Sequence, residues 1–509
     1  MIKKLRALLD NREISASELT QAYIDRIDKY DGGGVGGLNA YIYVDREGAA
    51  KAAAAAQARI DAGEQGLLTG IPFAVNDNIC TKDMPTTCAS RILDGFYPPY
   101  DATVVERLRA AGAILLGKLN MDEFAMGTAA LDSYYGRVKN PYDPSRVSGG
   151  ASGGAAAAVA AGLCTVAVGA GGAGAIGFPA ALCGVMGFRP TYGLVSRHGC
   201  VAYTSLYDQA GPLAICADDC ALLLDAVSGY CPYDMATFGA VMDDRSLAGA
   251  VTGAGARVGA GAGTATQGFS DLRGVKLGLI RELFSGEADP QVCETVYEAV
   301  KWFERAGAEI VEVSIPMLPY GAAAYCAIAC AEASANLARF DGVRYGRRAS
   351  GADDYYDIVS ASRGEGFGRE VKRQILFGVC VLSQEYYDKY YRKAVSVADS
   401  IRDRYNEVLL GVDTLISPAA QEPAYNAGNP ESTSWNNVDI CAIGPALAGL
   451  PSVSTPCGYI SLPNSGRAPV GLAITGRRFD DKFTLGLAGA YEREFSRRAP
   501  PVAEGWKGY

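Results

Sequence analysis

Residues 147–180 read VSGGASGGAAAAVAAGLCTVAVGAGGAGAIGFPA, and this stretch decides the architecture of the chain. It is built almost entirely from Gly, Ala and Val and contains no charged residue. The pattern predicts a tight turn at 149–154, a helix of small residues at 155–161, a buried strand at 164–168 and a second glycine loop at 169–174. Glycines this dense allow positive φ and let backbone N–H groups approach a ligand. The backbone therefore indicates an active-site loop, although its side chains offer almost no chemistry.

The composition is that of a globular protein with a large core. The chain has 509 residues, of which 49% are hydrophobic and 20% are charged. Its formal net charge is -9, whereas nucleic-acid-binding surfaces are usually basic. We therefore predict no direct nucleic-acid binding by this chain.

Cysteine and histidine usage limits the redox and metal chemistry. The 14 cysteines are scattered, and neither a signal peptide nor a long apolar run is found. Reduced core thiols, a cytoplasmic location and no membrane association are expected. The single histidine, His198, excludes a multi-histidine metal site and is interpreted as a packing residue beside a turn. No metal and no cofactor are predicted.

The order of elements predicts an α/β fold in one domain spanning residues 1–509. Residues 1–65 contain helices, the second of which begins with a capping box of Ser15 and Glu18. Strands and helices alternate through 66–225, which favours one sheet. Residues 246–268 are a low-complexity stretch, interpreted as a flexible insertion, and 323–405 form a helical, tyrosine-rich subregion.

Several motifs carry a family resemblance. They are GIPFAV at 70–75, GKLNMDEFAMG at 117–127, NPYDP at 140–144 and GVMGFRPTYG at 184–193. On these residues the chain resembles the amidase signature family, which implies a central mixed β-sheet surrounded by helices. Later segments at 332–346, 365–368 and 448–451 are similar to those of the subfamily of A subunits of tRNA-dependent amidotransferases.

This resemblance implies a function in making glutaminyl-tRNA and asparaginyl-tRNA. In that subfamily the A subunit releases ammonia from glutamine, and the charged tRNA is activated and amidated by a separate subunit. The implied partners are amidotransferase subunits B and C, and the implied ligand is glutamine or a related amide.

The family's chemistry uses a lysine base, a relay serine in a cis peptide and a nucleophilic serine. At the matching positions this sequence has Asn76, Ala151 and Ala175. The loop whose N–H groups would form the oxyanion hole comprises Gly172, Ala173, Gly174 and Ala175. The acidic residue, threonine, arginine and glutamine that family members carry around this loop are replaced by Gly171, Gly172, Gly177 and Phe178.

The sequence therefore predicts that amidase activity is absent. Ser152 is the residual candidate nucleophile, but neutral Asn76 cannot serve as its base. The main hypothesis is a catalytically degenerate pseudoamidase that serves as a scaffold or partner subunit without hydrolysing glutamine. One alternative is a working amidotransferase A subunit that uses free ammonium or a substitute nucleophile.

A third hypothesis is a protein that binds a small amide or an amino acid. Arg373 and Asp439 lie in segments similar to those where family members hold the α-carboxylate and α-amino groups of glutamine. Lys118 and Glu123 are interpreted as scaffold or surface residues. The tyrosines at 386, 387, 390 and 391 are predicted to pack between helices.

Overall fold

The computed structural model describes most of the chain. It covers residues 1–32, 37–237, 271–286, 288–351, 354–428, 440–462, 466–495 and 497–506. The low-complexity stretch at 246–268 and the candidate residue Asp439 lie outside the described residues.

Eleven strands of the described chain form one mixed sheet. They are β1 (Tyr41–Val44), β2 (Pro72–Asn76), β3 (Ile114–Leu119), β4 (Val166–Gly171), β5 (Met186–Arg189), β6 (Gln209–Ala214), β7 (Lys276–Ile280), β8 (Glu309–Val313), β9 (Thr414–Pro418), β10 (Ser452–Leu462) and β11 (Gly466–Gly476). Their order across the sheet is β1-β3-β2-β4-β6-β5-β10-β11-β9-β7-β8.

The described helices surround this sheet. They are α1 (Ile2–Asp10), α2 (Ala16–Tyr30), α3 (Arg46–Asp61), α4 (Thr103–Ala110), α5 (Gly153–Ala160), α6 (Gly177–Leu182), α7 (Ala217–Val227), α8 (Pro290–Arg305), α9 (Gly321–Asn336), α10 (Tyr355–Gly366), α11 (Arg369–Leu382), α12 (Lys393–Gly411), α13 (Ile440–Ala448) and α14 (Asp481–Glu494). No described helix combines the length and the apolar character needed to cross a membrane. The predicted fold class, a mixed sheet surrounded by helices, is confirmed, whereas the domain boundaries stay a prediction.

Three parallel strands bring the end of β2, at Asn76, beside the glycine loop that follows β4. Strand β2 pairs in parallel with both β3 and β4, and every residue of these three strands is buried. Strands buried on both faces read as continuous apolar runs, as these do. Because the carboxyl ends of parallel strands lie at one edge of a sheet, the loops after β2 and β4 meet there.

Helix α5 must be made of small residues because it packs against backbone. All eight of its residues are buried. A Cβ on Gly154 would lie 2.2 Å from the carbonyl oxygen of Asn120 and 2.8 Å from that of Ala40. Such separations are too short for a side chain, so glycine is needed at the start of this helix. The predicted helix is therefore confirmed, and close packing is the reason for its composition.

Local sequence patterns predict the starts of helices more accurately than the ends of strands. The capping box of Ser15 and Glu18 is present at the start of α2. Strand β4 ends at Gly171 rather than at Val168, because its antiparallel ladder with β6 continues through the glycines as far as Gln209. The second glycine loop is correspondingly shorter than predicted.

The tyrosine-rich run does not pack into the interior. Tyr387 and Tyr390 are 40% and 44% exposed, in a π-helical segment at 387–392 with no buried residue. The rings pair at the surface instead, Tyr386 with Tyr390 at 5.7 Å and Tyr387 with Tyr391 at 5.3 Å between centroids. The prediction of packing between helices is therefore wrong for Tyr387 and Tyr390, whereas Tyr391 is partly buried against the core.

Candidate functional site

A cleft opens where the two glycine loops meet α9 and α11. Its lining comprises Ala125, Gly127, Thr128, Ala129, Asp132, Gly150, Ala151, Gly172, Ala173, Gly174, Ala175, Phe178, Tyr203, Tyr325, Glu370 and Gln374. The cavity measures about 70 Å³. Since one water needs roughly 10–15 Å³ by the same measure, the cavity holds on the order of five water-sized atoms.

Asn76 lies at the carboxyl end of β2 and is fully buried. Its Nδ2 donates a hydrogen bond to Ser152 Oγ at 2.9 Å and a longer one to the carbonyl oxygen of Ala151 at 3.4 Å. Its Oδ1 finds no hydrogen-bond donor among the described residues. An amide that donates to a hydroxyl oxygen cannot also remove the proton of that hydroxyl.

Ser152, the residual candidate nucleophile, is also fully buried and is not part of the cleft lining. Its backbone N–H donates to the carbonyl oxygen of Ala175 at 3.2 Å, which ties the first glycine loop to the second. Its side chain points into the packing, since a Cβ on Gly169 would lie 2.5 Å from Ser152 Oγ. In this arrangement the serine links the loops together without facing the cleft.

Three alanine methyl groups, those of Ala125, Ala151 and Ala175, form what we call the methyl floor of the cleft. All three lie within 3.4 Å of the position that a Cβ on Gly171 would occupy. All peptide bonds of the described chain are trans, including the one before Ala151, whereas the resemblance implied a cis bond there. The positions matched to the relay and nucleophile serines therefore lie side by side, but they carry only hydrocarbon.

Two N–H groups of the loop predicted to match the oxyanion hole are already hydrogen-bonded to other groups of the protein. Ala173 donates to the Tyr325 hydroxyl oxygen at 3.1 Å, and Ala175 donates to the carbonyl oxygen of Gly172 at 3.3 Å. The same carbonyl accepts a hydrogen bond from the buried guanidinium of Arg189 at 3.1 Å. Burial lowers the pKa of Arg189 to about 10.

Gly172 makes room for the Tyr325 side chain. A Cβ on Gly172 would lie 2.1 Å from the Tyr325 hydroxyl oxygen and 3.1 Å from Thr204 Oγ1. The phenol can therefore reach the Ala173 N–H only because residue 172 has no side chain. Burial raises the pKa of Tyr325, so the hydroxyl stays neutral.

The rim of the cleft is acidic. Asp132 and Glu370 contribute carboxylates, and Gln374 lies one turn of α11 after Glu370. Gln374 Nε2 donates to Glu370 Oε1 at 2.8 Å and Gln374 Oε1 accepts from the Tyr203 hydroxyl at 2.9 Å. Burial and the Glu370 carboxylate raise the pKa of Asp132, while Arg373 opposes the increase.

Arg373 does not line the cleft, although its neighbour Gln374 does. Its guanidinium makes a two-pronged ion pair with Glu370, with Nε–Oε2 and Nη2–Oε1 distances of 2.9 and 2.7 Å. The predicted carboxylate-binding arginine is thus engaged by a carboxylate of its own helix. Its role in ligand binding stays a prediction, and that of Asp439 falls outside the described residues.

A buried ion pair lies directly beside Asn76. Asp77 Oδ1 is 3.2 Å from Lys118 Nζ, and both side chains are essentially unexposed. Lys118 also donates to Thr86 Oγ1 at 2.7 Å, and Asp77 Oδ2 accepts the backbone N–H groups of Thr87 and Ala89. The ion pair and these hydrogen bonds offset part of the lost hydration of both charges, although Asp77 Oδ1 has no hydrogen-bond donor among the described residues. Lys118 is therefore a scaffold residue and not a surface residue.

Glu123 is a second buried scaffold residue. Both of its carboxylate oxygens accept the Gly368 N–H, at 3.1 and 2.9 Å, and one also accepts the Ser90 hydroxyl. Burial raises the pKa of Glu123 to about 7. These bonds hold the segment before α11 against the core and so position Glu370 and Gln374 on the rim.

The structure adds residues that the sequence did not indicate. Tyr325, Asp132, Glu370 and Gln374 line the cleft, and Glu370 and Gln374 flank Arg373 on the same helix. Glu370 and Gln374 are four residues apart, a spacing that places them on one face of a helix. Many pairs of helical residues share this spacing, so it does not by itself indicate a binding site. Within the ranges that the structure describes, no group of His, Cys, Asp and Glu could hold a metal ion.

Comparison with known proteins identifies relatives of this chain. The family model described as Amidase matches residues 18–485. The chain is 42% identical over 497 residues to the A subunit of glutamyl-tRNA(Gln) amidotransferase from Ruminiclostridium cellulolyticum, covering 97% of each chain. It is 44% identical over 494 residues to the protein of that name from Chromohalobacter salexigens, covering 97% of this chain and 96% of the relative.

Solved structures agree with these sequence comparisons. The crystal structure of the A subunit of glutamyl-tRNA(Gln) amidotransferase from Thermotoga maritima superposes with a TM-score of 0.73 at 34% identity, covering 96% of this chain and 95% of that one. The native peptide amidase from Stenotrophomonas maltophilia superposes with a TM-score of 0.80 at 30% identity, covering 98% of each chain.

Proposed function

The chain belongs to the amidase family, and from this membership we propose that it is a catalytically degenerate homologue of the amidotransferase A subunit. In this proposal it keeps the shape of its relatives and their contacts with subunits B and C, but it does not hydrolyse glutamine. Its role is that of a scaffold or partner subunit in tRNA-dependent amidation.

One observation carries the proposal. The positions that match the family's base, relay and nucleophile hold an amide and two methyl groups, and they lie together at the cleft. Removing a single member of a coupled catalytic unit lowers kcat by up to about a million-fold in a comparable hydrolase. Without the base, the relay and the nucleophile, the loops keep their geometry and their capacity to bind, but no nucleophile remains.

A substitute nucleophile is disfavoured by the surroundings of Ser152. The hydroxyl is buried and accepts a hydrogen bond from Asn76 Nδ2, so no base is placed to activate it. One N–H donor of the second glycine loop is also already engaged, because Ala173 donates a hydrogen bond to the Tyr325 hydroxyl oxygen. An oxyanion at this position would therefore lack one of its stabilising N–H groups.

Assays of the chain purified together with subunits B and C test the proposal. We expect no release of ammonia from glutamine, by wild type or by Ser152→Ala. Hydrolysis by wild type that disappears in Ser152→Ala would establish a substitute nucleophile, and hydrolysis that survives that change would contradict the dead-site proposal altogether.

A second candidate is an amidotransferase subunit that works with free ammonium. Similarity to an amidotransferase A subunit over 97% of the chain favours it. The complex would then amidate Glu-tRNA when ammonium is supplied and would fail with glutamine. Failure with both nitrogen donors would leave the scaffold role alone.

A further inference from the structure

The cleft has an apolar bottom and an acidic rim, and this polarity restricts what it can bind. The methyl floor lies at the bottom, and the ring of Phe178 adds further hydrocarbon. Burying a hydrocarbon group against such a surface is favourable by roughly 25 cal/mol per Å². The inner part of the cleft is therefore suited to an apolar group rather than to a carboxamide.

A carboxamide finds few partners there. Its oxygen needs N–H donors, and two of the four in the loop 172–175 are already engaged, since Ala173 donates to Tyr325 and Ala175 donates to Gly172. Its NH₂ group needs acceptors, and the floor side chains offer none. A polar group buried without such partners weakens binding, because the hydrogen bonds that it made with water are not replaced.

The rim favours a positive charge. The Asp132 side chain lines the cleft and makes no hydrogen bond or ion pair within the described residues. Glu370 lines the same rim and is already held by Arg373. A ligand carboxylate would face two carboxylates, with the nearby guanidinium already engaged, whereas an ammonium group would be attracted to Asp132.

We propose that the cleft binds a small primary ammonium compound with a short hydrocarbon body, its nitrogen at Asp132 and its carbon chain on the methyl floor. This inference rests on the proposed loss of glutamine hydrolysis and names the ligand class of the same site. The cavity of about 70 Å³ matches a ligand on the order of five non-hydrogen atoms, such as n-butylammonium.

Calorimetry of the purified chain with n-butylammonium, n-butanol, butyramide and glutamine tests this ligand class. We expect n-butylammonium to bind at least tenfold more tightly than each of the other three. Asp132→Asn should weaken n-butylammonium binding at least tenfold while leaving n-butanol binding unchanged. Tighter binding of glutamine or butyramide than of n-butylammonium would overturn the inference.

Two further variants separate binding from folding. The exposed carboxylate Glu64, in the loop after α3, is absent from the cleft lining, so Glu64→Gln should retain full n-butylammonium affinity. Ala175→Leu places a larger side chain in the methyl floor and should abolish binding of n-butylammonium and n-butanol alike. Unchanged affinity in Asp132→Asn or in Ala175→Leu would refute the assigned position.

A glutamine hydrolysis assay on the same preparations distinguishes this inference from the function it rests on. Ammonium binding together with glutamine hydrolysis would remove the proposed function and leave the site in place. Absence of both n-butylammonium binding and hydrolysis would remove the ligand class and leave the proposed function standing.

Discussion

Two consecutive residues at the end of β2 meet opposite surroundings. Asn76 faces the glycine loops, where its amide bonds to Ser152 and its Oδ1 has no donor among the described residues. Asp77 Oδ1 forms an ion pair with Lys118 of β3 without a hydrogen bond, and its Oδ2 accepts the backbone N–H groups of Thr87 and Ala89. The charge behind the cleft is thus paired, while the floor of the cleft carries three methyl groups.

This difference shows that the buried ion pair lies behind the cleft and that the floor of the cleft is uncharged. A fold with relaxed packing would not hold a fully buried Lys118–Asp77 pair, since an uncompensated buried charge is strongly destabilising. The methyl floor, by contrast, leaves few unsatisfied polar atoms when the catalytic side chains are absent.

The largest expected effect comes from breaking the buried pair. Lys118→Met leaves the Asp77 carboxylate without its counter-ion, and we expect the free energy of unfolding to fall by about 3–5 kcal/mol. Denaturant unfolding measures this loss. The exposed pair of Lys301 and Glu298 is the matched control, and Lys301→Met should cost less than about 1 kcal/mol.

The double variant Lys118→Met/Asp77→Asn sharpens this result. Removing both charges should cost clearly less than the sum of the two single variants, because no unpaired charge then remains. Additive losses of stability would show that the two residues stabilise the fold independently. The difference between Asp77 and Asn76 would then not depend on charge pairing.

The next effect depends on pH. Burial raises the pKa of Glu123 from 4.5 to about 7, so the folded state binds a proton that the unfolded state has lost. This contribution to stability is fully present below pH 4.5 and is lost as pH rises through about 7. Between these values the free energy of unfolding should fall by about 1.4 kcal/mol per pH unit through this group.

Unfolding measured from pH 5 to pH 7 checks this slope. Glu123→Gln removes the titrating group, so its stability relative to wild type should rise with pH across the window. Glu294, an exposed residue of α8, provides the control, and Glu294→Gln should give a difference from wild type that does not change with pH. A Glu123→Gln difference that is equally flat would contradict the raised pKa.

The smallest effect concerns the cleft itself. Gly172→Thr introduces a Cβ 2.1 Å from the Tyr325 hydroxyl, which must then leave the Ala173 N–H. We expect a loss of about 1–3 kcal/mol in the free energy of unfolding, as for other overpacked sites. In the Tyr325→Phe background the same change should cost less, because the colliding oxygen is absent.

Gly177 offers a control for this substitution. A Cβ there would lie 3.7 Å from its nearest neighbour, Ser454, which is ordinary contact. Gly177→Ala should therefore change stability by less than about 1 kcal/mol. Equal losses from Gly172→Thr in the wild-type and Tyr325→Phe backgrounds would show that Tyr325 is not coupled to Gly172.

Local patterns explain what could be predicted. The capping box of Ser15 and Glu18 and the alanine run of α5 depend on neighbouring residues, and both elements are present. The end of β4 was misplaced because its ladder with β6 depends on a strand about 40 residues later in the chain. Glycine propensity alone indicated a loop where pairing extends the strand.

The sequence by itself determined the family and the fold class, because these follow from motifs and their order along the chain, and it predicted that Asn76, Ala151 and Ala175 match the family's triad positions. Only the tertiary structure decided what surrounds those positions. Tyr325 extends from α9 to the second glycine loop. The rim carboxylates come from separate elements, Asp132 from the loop before Gly136 and Glu370 from α11. Such contacts join residues far apart in sequence, and close packing rather than local propensity fixes them.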